Sequence, residues 1–119
     1  MKIIKIGIAS QGQIRQRVLA IAKGKIKPKP GDPKVWFTSM HSLAEVLSDD
    51  NRALLHVIRT AKPQSISELA DMTGRKQGNL SRTLKTMSRY GLVEMRRTAG
   101  SGRAVQPVTK VSRYEIVAA

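Results

Sequence analysis

Between Arg75 and Arg89 the chain gathers side chains whose chemistry suits nucleic acid: Arg75, Lys76, Gln77, Asn79, Ser81, Arg82, Lys85 and Arg89. A guanidinium can bond a guanine edge with two parallel N–H donors, and Asn and Gln can pair with adenine. Ser, Thr and Lys reach phosphate. The spacing adds to the composition. On a helical wheel of about 100° per residue, Leu80, Leu84 and Met87 fall on one stripe. Gly78, Arg82, Lys85 and Arg89 fall on the other side, with Arg75, Asn79 and Thr86. With the apolar stripe inward, the first turn is the part expected at base edges. It carries Arg75, Lys76, Gln77 and Asn79, with Ser81 and Arg82 just behind. Lys85 and Arg89 lie further along, at the distance of phosphate contacts. Taken alone, such a face is also what a solvated helix presents; the charge of the whole chain tips the balance.

Several elements must hold that helix in place. Upstream, Ser67 is placed to cap a helix carrying Leu69, Ala70 and Met72, and Gly74 supplies a turn. Downstream, Gly91 ends the basic helix. Leu92 to Arg97 reads as a strand, Thr98 to Pro107 as a Gly-rich loop, and Val108 to Val117 as the returning strand. This is the layout of a helix-turn-helix followed by a wing. Arg96, Arg97 and Arg103 flank the flexible Ala99-Gly100-Ser101-Gly102 tip, where arginine could enter a minor groove or meet the flanking backbone. Gly78 is informative, because glycine within a helix costs about 1 kcal/mol relative to alanine. Close approach of another surface is one reason to keep it.

At 119 residues the chain supports one compact domain with an extension. Its formal charge of +14 and pI near 11.0 favour polyanionic partners through long-range attraction and counterion release. Aromatics are 3% of residues, so the core must be aliphatic. The lack of cysteine excludes disulfides and thiolate metal sites and fits a reducing interior. No apolar run approaches the ~20 residues that span a bilayer, so the expected location is cytoplasmic, away from membranes. His41 and His56 stand isolated, and Asp49, Asp50, Glu68 and Asp71 read as helix groups. With no nucleophile elbow, metal-ligand cluster or phosphate-cradling loop, neither enzyme activity nor a metal or cofactor is expected.

The first third is organised differently. Ile4, Ile6 and Ile8 share one face of a strand over Lys2 to Ala9. Ser10 and Gln13 have the spacing of a capping box, opening a helix over Gln11 to Lys23 with Ile14, Val18 and Ile21 on its stripe and Gly24 as its stop. The segment GKIKPKPGDPKV that follows reads as an extended connector, either a solvated linker or an arm that tracks phosphates. Trp36 and Phe37 are expected to anchor it against the next domain. A short helix then carries Met40, Leu43, Ala44 and Leu47, capped by Thr38 or Ser39. Ser48-Asp49-Asp50 opens another, with Leu54, Leu55 and Ile58 inward, closed at Ala61-Lys62-Pro63; Ser65-Ile66 reads as a minimal strand. Residues 1–36 hold nine Lys and Arg against one acid, and residues 37–119 hold thirteen against seven. The expected fold is mainly α with a small β component: a strand–helix extension at 1–27, a connector at 28–36 and a winged helix-turn-helix domain at 37–119.

The stretch SISELADMTGRKQGNLSRTLKTMSRYGLVEM resembles the winged helix-turn-helix of MarR-like transcriptional regulators, above all in N-L-S-R-T-L-K-x-M-x-R-Y-G-L-V. With KPKPGDPKVWFTS and LSDDNRALLHVI, the wider chain is similar to a prokaryotic group of small DNA-binding proteins often encoded beside a toxin as its antitoxin. The resemblance implies a recognition helix from near Arg75 that reads duplex DNA through Gln77, Asn79, Ser81 and Arg82, and a wing around Arg97 to Arg103. It also implies a repressor, and a toxin as partner. MarR-like proteins dimerise through long terminal helices, whereas this chain ends in strand-like Val117-Ala118-Ala119. A homodimer would have to use another element, with the amino-terminal strand and helix as candidates. Residues 1–36 therefore have two open readings, a surface that binds a partner toxin or a unit that packs on its own domain or on a second copy of itself. A basic RNA-binding or ribosome-associated protein is the alternative, favoured by charge and not by pattern.

Overall fold

The computed structural model describes residues 2–97 and 105–118, which form five helices and five strands. They separate into two compact units: one is Val46–Ser112 with Met1–Lys2, the other Ile3–Glu45 with Arg113–Ala119. The expected boundaries at 27 and 36 do not match this division. Residues 37–45 and most of the last strand, from Arg113, group with the amino-terminal unit.

In that unit, β1 (Lys2–Ile8) is the middle strand of a three-stranded sheet ordered β2-β1-β5. Strand β2 (Val35–Phe37) runs parallel to β1, with Ile6 opposite Val35, Gly7 opposite Trp36 and Ile8 opposite Phe37. Parallel neighbours need a long crossover; α1 (Gln11–Ala22) and the Lys/Pro segment supply it. Trp36 and Phe37 are therefore strand residues of this unit's sheet. The capping box forms as its spacing predicts: Gln13 N–H donates to Ser10 Oγ at 3.2 Å, and Ser10 N–H donates to Gln13 Oε1 at 2.9 Å. Gly24 follows the helix at φ +74°. Ile4, Ile6, Ile8, Phe37 and Leu43 are buried. The stripe of α1 is not: no residue of that helix is buried, and Val18 is 59% exposed. Helix α2 (Met40–Val46) starts at Ser39, whose Oγ accepts the Ser42 N–H.

The other unit holds α3 (Asp49–Ala61), α4 (Ile66–Thr73), α5 (Gln77–Arg89) and the antiparallel pair β3 (Glu94–Arg97) and β4 (Val105–Val108). Ser48 caps α3 through Asn51 N–H. Ser65 caps α4 by accepting the Glu68 N–H at 3.0 Å, so Ser65-Ile66 is a helix start rather than a strand, and Ser67 lies inside the helix. The core is aliphatic throughout. Leu54, Leu55 and Ile58 from α3 and Leu69 from α4 are buried, and Leu80, Leu84 and Met87 from α5 are wholly buried. The returning strand is interrupted. Thr109 Oγ1 donates to the Leu92 carbonyl at 2.7 Å and accepts the Val111 N–H at 3.2 Å. That break ends β4 at Val108, and β5 (Val111–Ala118) joins the other sheet. The β component is thus larger than the amino-terminal strand and two-stranded wing the sequence suggests, because β2 and β5 flank β1 in a sheet of their own.

Candidate nucleic-acid interface

The turn before α5 is built from local bonds. Gly74, at φ +72°, ends α4 with its N–H donating to the Ala70 carbonyl at 2.9 Å. Glycine suits this left-handed conformation because it has no Cβ to clash. Thr73 Oγ1 donates to the Leu69 carbonyl at 2.8 Å. Helix α5 begins after Lys76, which gives no side-chain cap, and its first turn holds no acid. The free N–H groups there and the helix dipole both favour an anion.

Along α5 the two faces are sharply divided. Leu80, Leu84 and Met87 are each 0% exposed, whereas Gln77, Gly78, Asn79, Arg82, Lys85 and Arg89 are exposed. Gly78, Arg82, Lys85 and Arg89 recur at intervals of four, three and four residues, so they form one ridge about 16 Å long at 1.5 Å per residue. Among the described residues, Lys76, Arg82, Lys85 and Arg89 make no ion pair. Ser81 and Thr86 are half-buried at the margin, and Thr86 Oγ1 donates to the Arg82 carbonyl at 3.2 Å. A Cβ added at Gly78 would meet nothing within 4 Å. Nothing within the described chain requires glycine there, so the open space faces outward.

Two of the nominated arginines are engaged elsewhere. Arg75 lies before α5 rather than on it, half-buried, and its guanidinium donates to the Asp50 carbonyl at 2.8 Å and to Asn51 Oδ1 at 3.4 Å. It ties the turn to the start of α3, a role its position in the basic cluster did not suggest. On β3, Arg96 Nη2 lies 3.0 Å from Glu94 Oε2. That bond and the paired charge hold the Glu94 carboxyl below its ordinary pKa and Arg96 above its own. Arg97 is exposed, and among the described residues it has no ion-pair partner. In the hairpin Arg96 stands opposite Gln106 and Arg97 opposite Val105. Arg103 and the loop tip lie outside the described residues.

Among the described residues no group of His, Asp and Glu is placed to hold a metal, and no helix is long and apolar enough to cross a membrane. A family model, HVO_A0114, matches residues 46–116, more than half of the chain. The chain belongs to the HVO_A0114 family. The match spans Val46–Ser112, the long segment of the unit that carries α5. Among solved structures, the chain is similar to one described as the crystal structure of the predicted DNA-binding transcriptional regulator from E. coli. That likeness is slight, with a TM-score of 0.46 and 20% identity over 85% of this chain and 84% of the other. No curated protein matches.

Proposed function

We propose that this HVO_A0114-family chain binds double-stranded DNA in a sequence-specific way and regulates transcription. In this reading α4, the Gly74 turn and α5 are a helix-turn-helix, α5 is the recognition helix, and the β3–β4 hairpin is a wing. The observation that carries it is the exposed ridge of α5, whose Arg82, Lys85 and Arg89 make no ion pair among the described residues and stand beside Gln77 and Asn79, backed by a filled apolar stripe. A packed back makes the ridge rigid, and rigid placement is what base-edge readout requires. Repression of its own operon, a MarR-like ancestry and neutralisation of a toxin through the amino-terminal region rest on the sequence resemblance alone.

The RNA alternative is weaker on chemistry. Single-strand readers stack bases on exposed aromatics. Here Phe37 is buried, and Trp36, Tyr90 and Tyr114 are half-buried.

The test is selection of preferred duplexes from a random pool at fixed salt, followed by Arg82→Ala. If Arg82 reads a base, the change costs about 1–3 kcal/mol on the selected site and relaxes preference at one position. Equal weakening on random duplexes would assign Arg82 to phosphate. Tighter binding to duplex RNA or to single strands would overturn the proposal.

A further inference from the structure

The Lys/Pro segment between α1 and β2 is not a loose linker. It is hung from the sheet by a relay of contacts. Gly7 of β1 lets the Trp36 ring lie directly on the strand; a Cβ there would come within 2.4 Å of the ring. The ring carries the Arg17 guanidinium, 5.6 Å from its centroid. Arg17 Nη2 then bonds Asp32 Oδ2 at 2.9 Å, and the same oxygen accepts the Lys29 N–H at 2.8 Å. Lys5 adds a bond from its ammonium to the Gly31 carbonyl at 2.8 Å, and its own carbonyl accepts the Lys34 N–H at 3.1 Å. At the other end, Lys25 N–H donates to the Ala20 carbonyl at 2.9 Å.

This anchored segment carries Lys23, Lys25, Lys27, Lys29 and Lys34, all exposed and, among the described residues, without an ion-pair partner. Asp32 is the only acid between Ile3 and Ala44. Its carboxylate bonds Arg17 and the Lys29 N–H and, among the described residues, forms no ion pair with a lysine side chain. Proline at 28, 30 and 33 stiffens the same stretch. Fixed like charges on a braced loop are what a polyanion with evenly spaced charges would meet.

We propose that residues 23–34 form a second DNA surface, which grips the phosphate backbone without reading sequence and is held ready by the Trp36–Arg17–Asp32 relay. The proposal rests on the duplex-DNA reading above but uses a different unit of the chain and a different observable.

The experiment measures affinity of the full chain for a labelled mixed-sequence duplex across a salt series. Each lysine that neutralises a phosphate contributes about 0.9 to the slope of log affinity against log salt. Replacing Lys23, Lys25, Lys27, Lys29 and Lys34 by Gln should flatten that slope by up to about 4.5, leaving the ratio of selected to random duplex unchanged. An unchanged slope overturns the proposal, and so does a variant that keeps its duplex affinity and loses affinity for anionic vesicles instead. Asp32→Asn separates a braced surface from mere charge. It raises the net charge by one, so charge counting alone predicts tighter binding; loss of the brace predicts binding several-fold weaker. Equal or tighter binding by Asp32→Asn overturns the relay's role. A flattened slope with no base preference in the wild type would sink the sequence-specific regulator and leave this surface standing.

Discussion

The two units of this chain treat the same sequence pattern in opposite ways. Both α1 and α5 carry an apolar stripe at helical spacing beside a basic face. In α5 the stripe is filled completely; in α1 no residue is buried. Of the eight large hydrophobic residues exposed in the described chain, Ile3, Val18, Leu19, Ile26, Met40, Ile116 and Val117 belong to the amino-terminal unit, and only Met72 to the other. The carboxy-proximal unit thus has a closed aliphatic core that fixes its basic ridge. The amino-terminal unit has a thin core and fixes its basic loop with hydrogen bonds and one aromatic ring. Packing positions charge in the first case, and polar bonding does so in the second.

The largest effect should come from opening the better-packed core. Leu84→Ala removes a side chain that is fully buried between helices, a class of change that costs about 2–5 kcal/mol. Val18→Ala on the exposed stripe of α1 should fall within about 0.5 kcal/mol of the wild type. Urea denaturation of both variants checks this. A comparable loss for Val18→Ala would mean that α1 is covered by a partner in solution, and the contrast between the units would then belong to the isolated chain only.

Gly7→Ala attacks the polar-bonded unit at its tightest point. The new methyl would collide with Trp36, and overpacking of this kind costs about 1–3 kcal/mol. Trp36 is the only tryptophan, so its emission reports on this site alone. A shifted emission with the α5 unit still cooperative would show that the two units respond separately. An unshifted emission would mean the ring does not rest on the strand.

These contrasts also mark what could be read from the residues in order. Local signals were legible. The Ser10–Gln13 box, the Gly24 and Gly74 stops and the Leu80-Leu84-Met87 stripe each depend on neighbours a few positions apart. Non-local pairing was not. Strand β2 is three residues long and pairs with a strand that ends 27 residues before it begins, so no periodicity announces it. The division of the carboxy-terminal stretch into β4 and β5 turns on Thr109, whose hydroxyl satisfies Leu92 and Val111, while the alternation of side chains runs on past the break. The candidate site was legible in part for the same reason. The ridge of α5 follows from helical spacing, but the engagement of Arg75 with Asp50 and Asn51 requires knowing that α3 lies beside the turn. Asp32, scarcely noticeable in sequence among lysines and prolines, gains its role only when Arg17 and Trp36 are brought to it.

A smaller effect should separate stability from recognition on the ridge itself. Gly78→Ala meets no atom within 4 Å, so it should stabilise α5 by up to about 1 kcal/mol. If the ridge enters a groove, the same methyl should weaken duplex binding. Thermal melting and binding would then move in opposite directions. Stabilisation with unchanged affinity would mean that no surface approaches the helix at Gly78.

The smallest effect is acidic and local to the amino-terminal unit. Hydrogen bonds from Lys29 N–H and from Arg17, with the charges of both side chains, hold the Asp32 carboxyl below its ordinary value of 3.8. A carboxylate whose folded-state pKa is depressed contributes stability that is present above the unfolded value and lost as pH falls through the folded one. The bond to Arg17 should therefore survive to a pH below 3.8 and then release, freeing the guanidinium over Trp36 and changing its emission. Asp32→Asn should show the released emission already at neutral pH and lack the acid step. Glu94 is depressed in the same direction by Arg96, but it belongs to the other unit, which has no tryptophan, and should be silent in this measurement. An acid step that persists in Asp32→Asn would show that the emission follows global unfolding. The loop would then owe its shape to its prolines rather than to the carboxylate.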